Sequence, residues 1–361
     1  MPLLARMIPA PLVVDVRRGA LCELAKILAD QRISPSGRVA IAVGPTHGPV
    51  IRETFQAGLA GADWFTVDGC TINAAIRLVE QIRPQQYDAI VGIGGGTVLD
   101  VTKFAAARLG LPMVAAATNL AHDGIASPIS TLDNDAGRGS YSVPAPIAVL
   151  VDLDLIGQAP PRSVRSGIGD IVSNLSATAD WEAAHRLRGE AIDGFAVSLA
   201  RTAAQAVMDH RGGVGDDAFL TTLAEGLVLS GMAMVVAGNS RPASGACHEI
   251  SHAIDLHYPG RRAFHGEQVG LGAAFAWFLR GDADHFNATV DCLYRHGLPV
   301  RPADLGFSLD EFAEIVCYAP LTRPGRFTVL EESALTPERT AAKVAEFDEN
   351  VRARTQEIAR D

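Results

Sequence analysis

Between residues 38 and 152 the chain alternates short apolar runs with amphipathic stretches, and few folds accept that pattern. The runs at 38–43, 64–67, 88–93, 112–117 and 146–152 each predict a short strand, and 50–59, 71–83 and 98–109 predict helices. Thr71 stands where a helix N-cap is favoured. Uninterrupted apolar runs suit strands covered on both faces, and strand–helix alternation suits a parallel sheet. After Ala159-Pro160-Pro161-Arg162 the strand signals fade, and Ala-rich stretches at 171–186, 191–209, 217–237, 267–279 and 335–358 predict helices. The expected organisation is an α/β Rossmann-like domain with a parallel sheet over 1–158, followed by an all-α domain over 159–361, with the active site in the cleft between them.

Charge and cysteine usage narrow the function classes. The 31 basic residues face 41 acidic ones, a net −10, so a phosphate backbone is repelled and no nucleic-acid partner is expected. No apolar run is judged to reach the roughly 18 to 20 residues of a bilayer span, and the opening Met1-Pro2-Leu3-Leu4-Ala5-Arg6-Met7 lacks the pattern of a signal peptide. Cys22, Cys70, Cys247, Cys292 and Cys317 are scattered and form no CxxC pair, which suits reduced thiols in a cytoplasm.

Two turns in the first half are chemically suggestive. Gly92-Ile93-Gly94-Gly95-Gly96-Thr97 follows a strand and opens a helix. Glycines there let a backbone approach a pyrophosphate, and the helix N-terminus offers it free N–H groups. The run is not GxGxxG, because Thr97 occupies the last glycine's place, and no Gly-Lys-Ser/Thr follows to make a Walker loop. A tight strand–helix turn is the plain alternative. The polar turn Thr118-Asn119-Leu120-Ala121-His122-Asp123 follows the next strand, on the carboxyl edge where ligands of open α/β sheets collect.

The densest chemistry lies in Cys247-His248-Glu249-Ile250-Ser251-His252 and Phe264-His265-Gly266-Glu267. His248 and His252 are four apart and share a helix face. Read literally, His248 to His252 is HExxH with Glu249 as base, but Leu256 and Pro259 replace the glycine and third histidine of the metzincin extension. The preferred reading takes His248 and His265 as ligands of one divalent metal, with a carboxylate from elsewhere. Two imidazoles and a carboxylate with an open position describe a catalytic zinc or iron site. Asp170, in Ser166-Gly167-Ile168-Gly169-Asp170, is the candidate, and an N-cap of the helix it is expected to open is its plain alternative. His252 is then free to relay a proton or bind substrate.

Taken together, these segments resemble the iron-containing alcohol dehydrogenase and dehydroquinate synthase superfamily, and within it the sn-glycerol-1-phosphate dehydrogenase family, from about residue 12 to about 350. The likeness rests on Gly94-Gly95-Gly96-Thr97-Val98-Leu99-Asp100, on Thr118 through Pro128, on Gly167-Ile168-Gly169-Asp170, on His248-x3-His252, on His265-Gly266-Glu267-Gln268-Val269-Gly270, and on Arg323-Pro324-Gly325-Arg326-Phe327-Thr328-Val329-Leu330. The resemblance implies Asp170, His248 and His265 as metal ligands. It implies Asp123 and His252 as catalytic residues that also contact the substrate, with Asp170 a further substrate contact. It implies Gly94, Gly95, Gly96, Thr97, Val98, Leu99, Thr118, Asn119, Leu120, Ala121 and Ser127 as contacts of NAD or NADP. The reaction implied is reversible hydride transfer between NAD(P)H and the carbonyl of dihydroxyacetone phosphate, with zinc favoured over iron, in a homo-oligomer.

Two departures stand out. Cys247 replaces the glutamate usual before the first metal histidine, leaving substrate preference open. Gly44-Pro45 follows the expected buried strand at 38–43, whose end often carries an acid that binds the adenosine ribose, so NADP is admitted beside NAD. The alternatives are a dehydrogenase of another polyol, hydroxy-phosphonate or cyclitol, a cyclase like dehydroquinate synthase, and an HExxH metallopeptidase. The cyclase is disfavoured because 124–145 contains no lysine and Asp170 is not a glutamate.

Overall fold

The computed structural model describes residues 10–135, 137–261 and 263–360, so the opening segment read for targeting signals lies outside the described residues. Contacts divide the chain into a first unit ending at Pro160 and a second beginning at Pro161.

The first unit is built on a parallel sheet in the order β1-β8-β5-β4-β2-β3. Its strands are β1 Val13–Arg17, β2 Val39–Val43, β3 Ala62–Thr66, β4 Ala89–Gly94, β5 Met113–Ala117 and β8 Ala148–Asp152. The helices are α1 Leu24–Leu28, α2 Gly48–Phe55, α3 Ile72–Ile82, α4 Gly96–Leu109 and α5 Leu153–Ile156. The apolar runs fall where expected because β2, β4, β5 and β8 are buried along their whole length. Ile41, Val91, Val114 and Leu150 pack with Leu21, Leu24 and Leu28 in one core. Thr71 does cap α3, accepting from the N–H of Ala74 at 3.1 Å.

Three strands and the short helices α1 and α5 lie outside the expected elements. β1 is an edge strand whose residues alternate with charge, and the pair β6 Ile129–Asn134 with β7 Gly137–Ser142 forms a separate antiparallel hairpin of mostly polar residues. Successive strands run from β2 outward to β3, then cross back to β4 and on to β5. The switch point of the sheet therefore lies between β2 and β4, and the glycine-rich turn leaves β4 there.

Among the described residues the second unit contains helices and no strand. They are α6 Pro161–Arg188, α7 Gly194–Asp209, α8 Asp217–Ala237, α9 Ala246–His257, α10 His265–Arg280, α11 Ala283–Arg295, α12 Leu309–Tyr318, α13 Val329–Ser333 and α14 Pro337–Ile358. Phe275 of α10 meets Phe312 of α12 and Phe347 of α14 edge to face, at 5.6 and 5.2 Å between ring centroids, which anchors α10. α8 corrects one expectation. By length and composition it is long and apolar enough to cross a bilayer, yet 61% of its most apolar window is buried within the fold, as for a core helix. Its Ser230 hydroxyl accepts from Asn174 of α6 at 2.9 Å.

Candidate metal centre and cofactor turn

The centre in the second unit depends on how closely α6 and α10 approach. A Cβ on Gly169 would strike the Gly266 carbonyl, and one on Gly266 would strike the Ser166 carbonyl. Only glycine at both places allows the two backbones to touch. The approach is fastened by the Gly266 N–H donating to Ser166 Oγ at 2.9 Å, and by Arg162 donating to both Glu267 oxygens at 2.6 and 2.8 Å. This contact also corrects an expectation. Asp170 does not open a helix; α6 begins at Pro161 and runs through Gly167 and Gly169, and Gly169 is a packing site against α10 rather than a helix stop.

On that frame α6 presents Asp170, α9 presents His248, and the first turn of α10 presents His265. Their ligand atoms all lie within 4.8 Å of one another. His248 Nε2 and His265 Nε2 are 3.2 Å apart, and Asp170 Oδ1 lies 3.6 Å from His265 Nε2 and 3.9 Å from His248 Nε2. Bonds of about 2.0–2.1 Å in a tetrahedral shell put donors about 3.3 Å apart, so this set fits a divalent ion with little movement. Burial, and then the His265, His252, Arg323 and Arg326 charges, hold His248 well below the ordinary imidazole range, leaving a neutral ring with a lone pair to give.

The surrounding hydrogen bonds orient the ligands. Ser251 Oγ lies 3.3 Å from His265 Nδ1 and donates to Gln268 Oε1 at 2.6 Å, while Gln268 Nε2 donates to Asp255 at 3.2 Å. A hydroxyl committed to Gln268 accepts from Nδ1–H, which turns the Nε2 lone pair of His265 toward the centre. Cys247, the residue out of pattern, is fully buried against Val269 and Ala273, and burial pushes its thiol up to about 12. Its Sγ also lies 3.3 Å from His248 Nδ1, so it packs against the ring of a proposed ligand.

Other motif residues separate. Glu249 is fully buried, its carboxyl meets the Thr328 hydroxyl at 3.0 Å, and burial raises it to about 9. A neutral, enclosed acid is not a peptidase base, so the HExxH reading fails. His252 stands beside the centre, 6.4 Å from His248 between ring centroids, and its Nδ1 accepts from Arg323 Nε at 3.4 Å.

In the first unit the two turns come together. The Thr118 N–H donates to the Gly94 carbonyl at 3.1 Å, and Gly95 lies against Asn119. α4 starts at Gly96, two residues earlier than expected, so Gly95 is its N-cap and Gly96 opens a first turn whose N–H groups can face an anion. A Cβ on Gly96 would collide with the His122 ring. His122 Nδ1 accepts from the Gly124 N–H at 3.0 Å, and burial lowers its pKa. Asp123 opens the short 3-10 turn whose carbonyl accepts from Ala126 and Ser127, and Leu120 and Ser127 are buried. Lys103, unremarked in sequence, is buried with Asp100 at 2.9 Å and donates to the carbonyls of Gly124 (2.8 Å) and Ile129, which holds this turn against α4.

A family model described as iron-containing alcohol dehydrogenase matches residues 15–160. The glycerol-1-phosphate dehydrogenase [NAD(P)+] of Hyperthermus butylicus is 36% identical over 335 residues, covering 91% of this chain and 95% of the relative. The chain belongs to the glycerol-1-phosphate dehydrogenase family. That of Methanothermobacter thermautotrophicus is 34% identical over 352 residues, 95% of this chain and 99% of its own. Among solved structures, glycerol dehydrogenase from Schizosaccharomyces pombe matches with TM-score 0.78 at 19% identity, over 98% of this chain and 93% of that one. A probable glycerol dehydrogenase from Sinorhizobium meliloti gives 0.77 at 22%, over 97% and 99%. These likenesses show that the family member described here has the iron-containing dehydrogenase fold.

Proposed function

We propose that this chain is an NAD(P)-dependent, metal-dependent dehydrogenase that reversibly reduces dihydroxyacetone phosphate to sn-glycerol 1-phosphate. The observation that carries the reading is the convergence of Asp170, His248 and His265, in a family member, on spacing suited to one divalent ion. Zinc is the ion proposed over iron: two imidazoles and one carboxylate suit both, and the resemblance is closer to the zinc-using subfamily. Held by Asp170, His248 and His265, such an ion would supply a Lewis acid for the substrate carbonyl, and a bound nicotinamide would supply the hydride.

The chain's own groups do the rest. Gly94 to Leu99, Thr118 to Ala121 and Ser127 would hold the dinucleotide, the first turn of α4 offering N–H groups to its pyrophosphate. His252 delivers the proton. Because its Nδ1 accepts from Arg323, the neutral ring carries its hydrogen on Nε2, the atom left to donate. Asp123 and Asp170 orient the substrate hydroxyl. The setting proposed is a cytoplasmic homo-oligomer, acting on a small phosphorylated ketone without nucleic acid or a membrane span. The free cysteines suit a reducing compartment, and the net −10 disfavours polyanions.

The test is oxidation of NADH and of NADPH with dihydroxyacetone phosphate, using zinc-loaded and chelated protein, with dihydroxyacetone and other glycerol-type ketones as controls. Zinc-dependent turnover of the phosphate, yielding the sn-1 product on chiral analysis, is expected. Inert dihydroxyacetone phosphate with cofactor and metal both bound refutes the substrate assignment.

A further inference from the structure

The loop between the 3-10 turn Ala319–Thr322 and α13 carries two arginines beside the histidine centre, and it is held in place on several sides. Thr328 caps α13, and its hydroxyl meets the Glu249 carboxyl. Arg241 donates to the Phe327 carbonyl at 2.9 Å, and Arg326 donates to the Ser244 carbonyl and, at 3.0 Å, to Ser240 Oγ. Gly325, at φ +86°, makes the reversal between the two arginines. Arg323 reaches His252 with its Nε at 3.4 Å, and His252 lies one helical turn from His248 on α9.

Their partners are what set them apart. Arg241 pairs with Glu190 and Arg162 with Glu267, but among the described residues neither Arg323 nor Arg326 forms an ion pair with a carboxylate. Arg326 gives its hydrogens to a carbonyl and a hydroxyl, both neutral. The carboxyl of Glu249 is engaged by the Thr328 hydroxyl at 3.0 Å and forms no ion pair with either arginine. Two guanidiniums are thus kept half-buried without a paired carboxylate, an arrangement favourable once an anion sits beside them. Lysine does not compete for that role: Lys26, Lys103 and Lys343 lie beside Glu23, Asp100 and Glu346. The row from His265 to His248 (4.9 Å between centroids), His252 (6.4 Å) and Arg323 runs from the metal ligands to this cationic loop.

We propose that Arg323, together with Arg326, receives the phosphate of the substrate, so that this loop sets the preference for phosphorylated over free ketones. The proposal deepens the function proposed above and rests on it for the substrate's identity. A planar guanidinium offers paired N–H donors that match phosphate oxygens, and in a partly enclosed site such contacts are strong.

Two readouts test it on the full chain. Inorganic phosphate binding to metal-stripped protein, by calorimetry, should weaken by about 30-fold or more in Arg323→Ala. In zinc-loaded enzyme the kcat/KM preference for dihydroxyacetone phosphate over dihydroxyacetone should fall on the order of 100-fold, mostly in KM, with part restored in Arg323→Lys. If the alanine variant does not fold, Arg323→Gln is read in the same assays. Phosphate binding equal to wild type, or equal losses on both ketones, overturns the proposal and leaves Arg323 as a positioning residue for His252. If wild type binds phosphate through Arg323 yet leaves dihydroxyacetone phosphate unreduced, the arginine site stands and the function above falls. If wild type reduces it and the variant keeps the preference, only the arginine site falls.

Discussion

Replacing Gly266 with alanine should dismantle the metal centre without touching a ligand. The added Cβ would stand 1.6 Å from the Ser166 carbonyl oxygen, 1.8 Å short of the 3.4 Å at which ordinary contact begins. The obstacle is backbone, so no side chain can rotate away, and α10 must shift from α6 by most of that distance. Metal–ligand bonds tolerate about 0.2 Å, so a displacement several times larger separates Asp170 from His265. The expected result is loss of stoichiometric zinc after dialysis. A packing penalty near the upper end of the usual range, about 3 kcal/mol, should accompany it. For a unit of about 200 residues that lowers its transition by about 6 to 12 °C. Zinc content by mass spectrometry and the apo-protein melt are the two assays. Gly260→Ala, where a Cβ meets nothing within 4 Å, is the matched control. If Gly266→Ala binds zinc as wild type does and melts within about 1 °C of it, the claim that this glycine contact positions Asp170 is wrong.

Three further outcomes are expected. Ser251→Ala removes the acceptor of His265 Nδ1 and should weaken zinc about 10- to 100-fold in a chelator competition, while unchanged affinity would mean the hydroxyl does not orient the ring. Lys103→Met leaves Asp100 buried and unpaired and frees the Gly124 and Ile129 carbonyls. It should cost about 3 to 5 kcal/mol in a denaturant titration and weaken dinucleotide binding, and a cost below about 1 kcal/mol would refute the role given to that ion pair. His296 is held down to about 4 by burial and then by the Arg295 and Arg165 charges, against 6.5 unfolded. Between those values the unfolded chain binds a proton that the folded chain refuses. Its contribution to stability is therefore intact above pH 6.5, declines as pH falls, and is lost below about 4. At about 1.4 kcal/mol per pH unit the loss reaches at most about 3 kcal/mol. His296→Gln should flatten stability across that window, and a slope parallel to wild type would exclude His296 as its source.

The first unit was readable in sequence where burial is complete. β2, β4, β5 and β8 are covered on both faces, so each appears as an unbroken apolar run, within two residues of its true ends. The edge strand β1 and the hairpin β6–β7 were not readable for the complementary reason. Half-exposed strands carry Asp15, Arg17, Asp133 and Arg138, and their identity comes from a partner strand rather than from their own composition. Glycine misled once. In isolation Gly167 and Gly169 argue against a helix, but the α6–α10 contact made at Gly169 offsets that weak propensity, and the helix continues past it to carry Asp170.

The candidate centre shows the same division. His248 and His252 share a helix face, and His265 follows nearby, so short spacing alone brought them into view. Asp170 lies 78 residues before His248, and nothing local marks it; the glycines at 169 and 266 become informative only when the two helices are known to touch. The arginines were harder still. In sequence, Arg323 and Arg326 look like Arg162 or Arg241, and charge alone does not distinguish them. What separates them is a tertiary property, whether a carboxylate comes to meet the guanidinium, and that bears directly on function. An arginine answered by glutamate is part of the scaffold, whereas one left with neutral partners beside a metal-type histidine group retains binding capacity for an anion that arrives with the substrate.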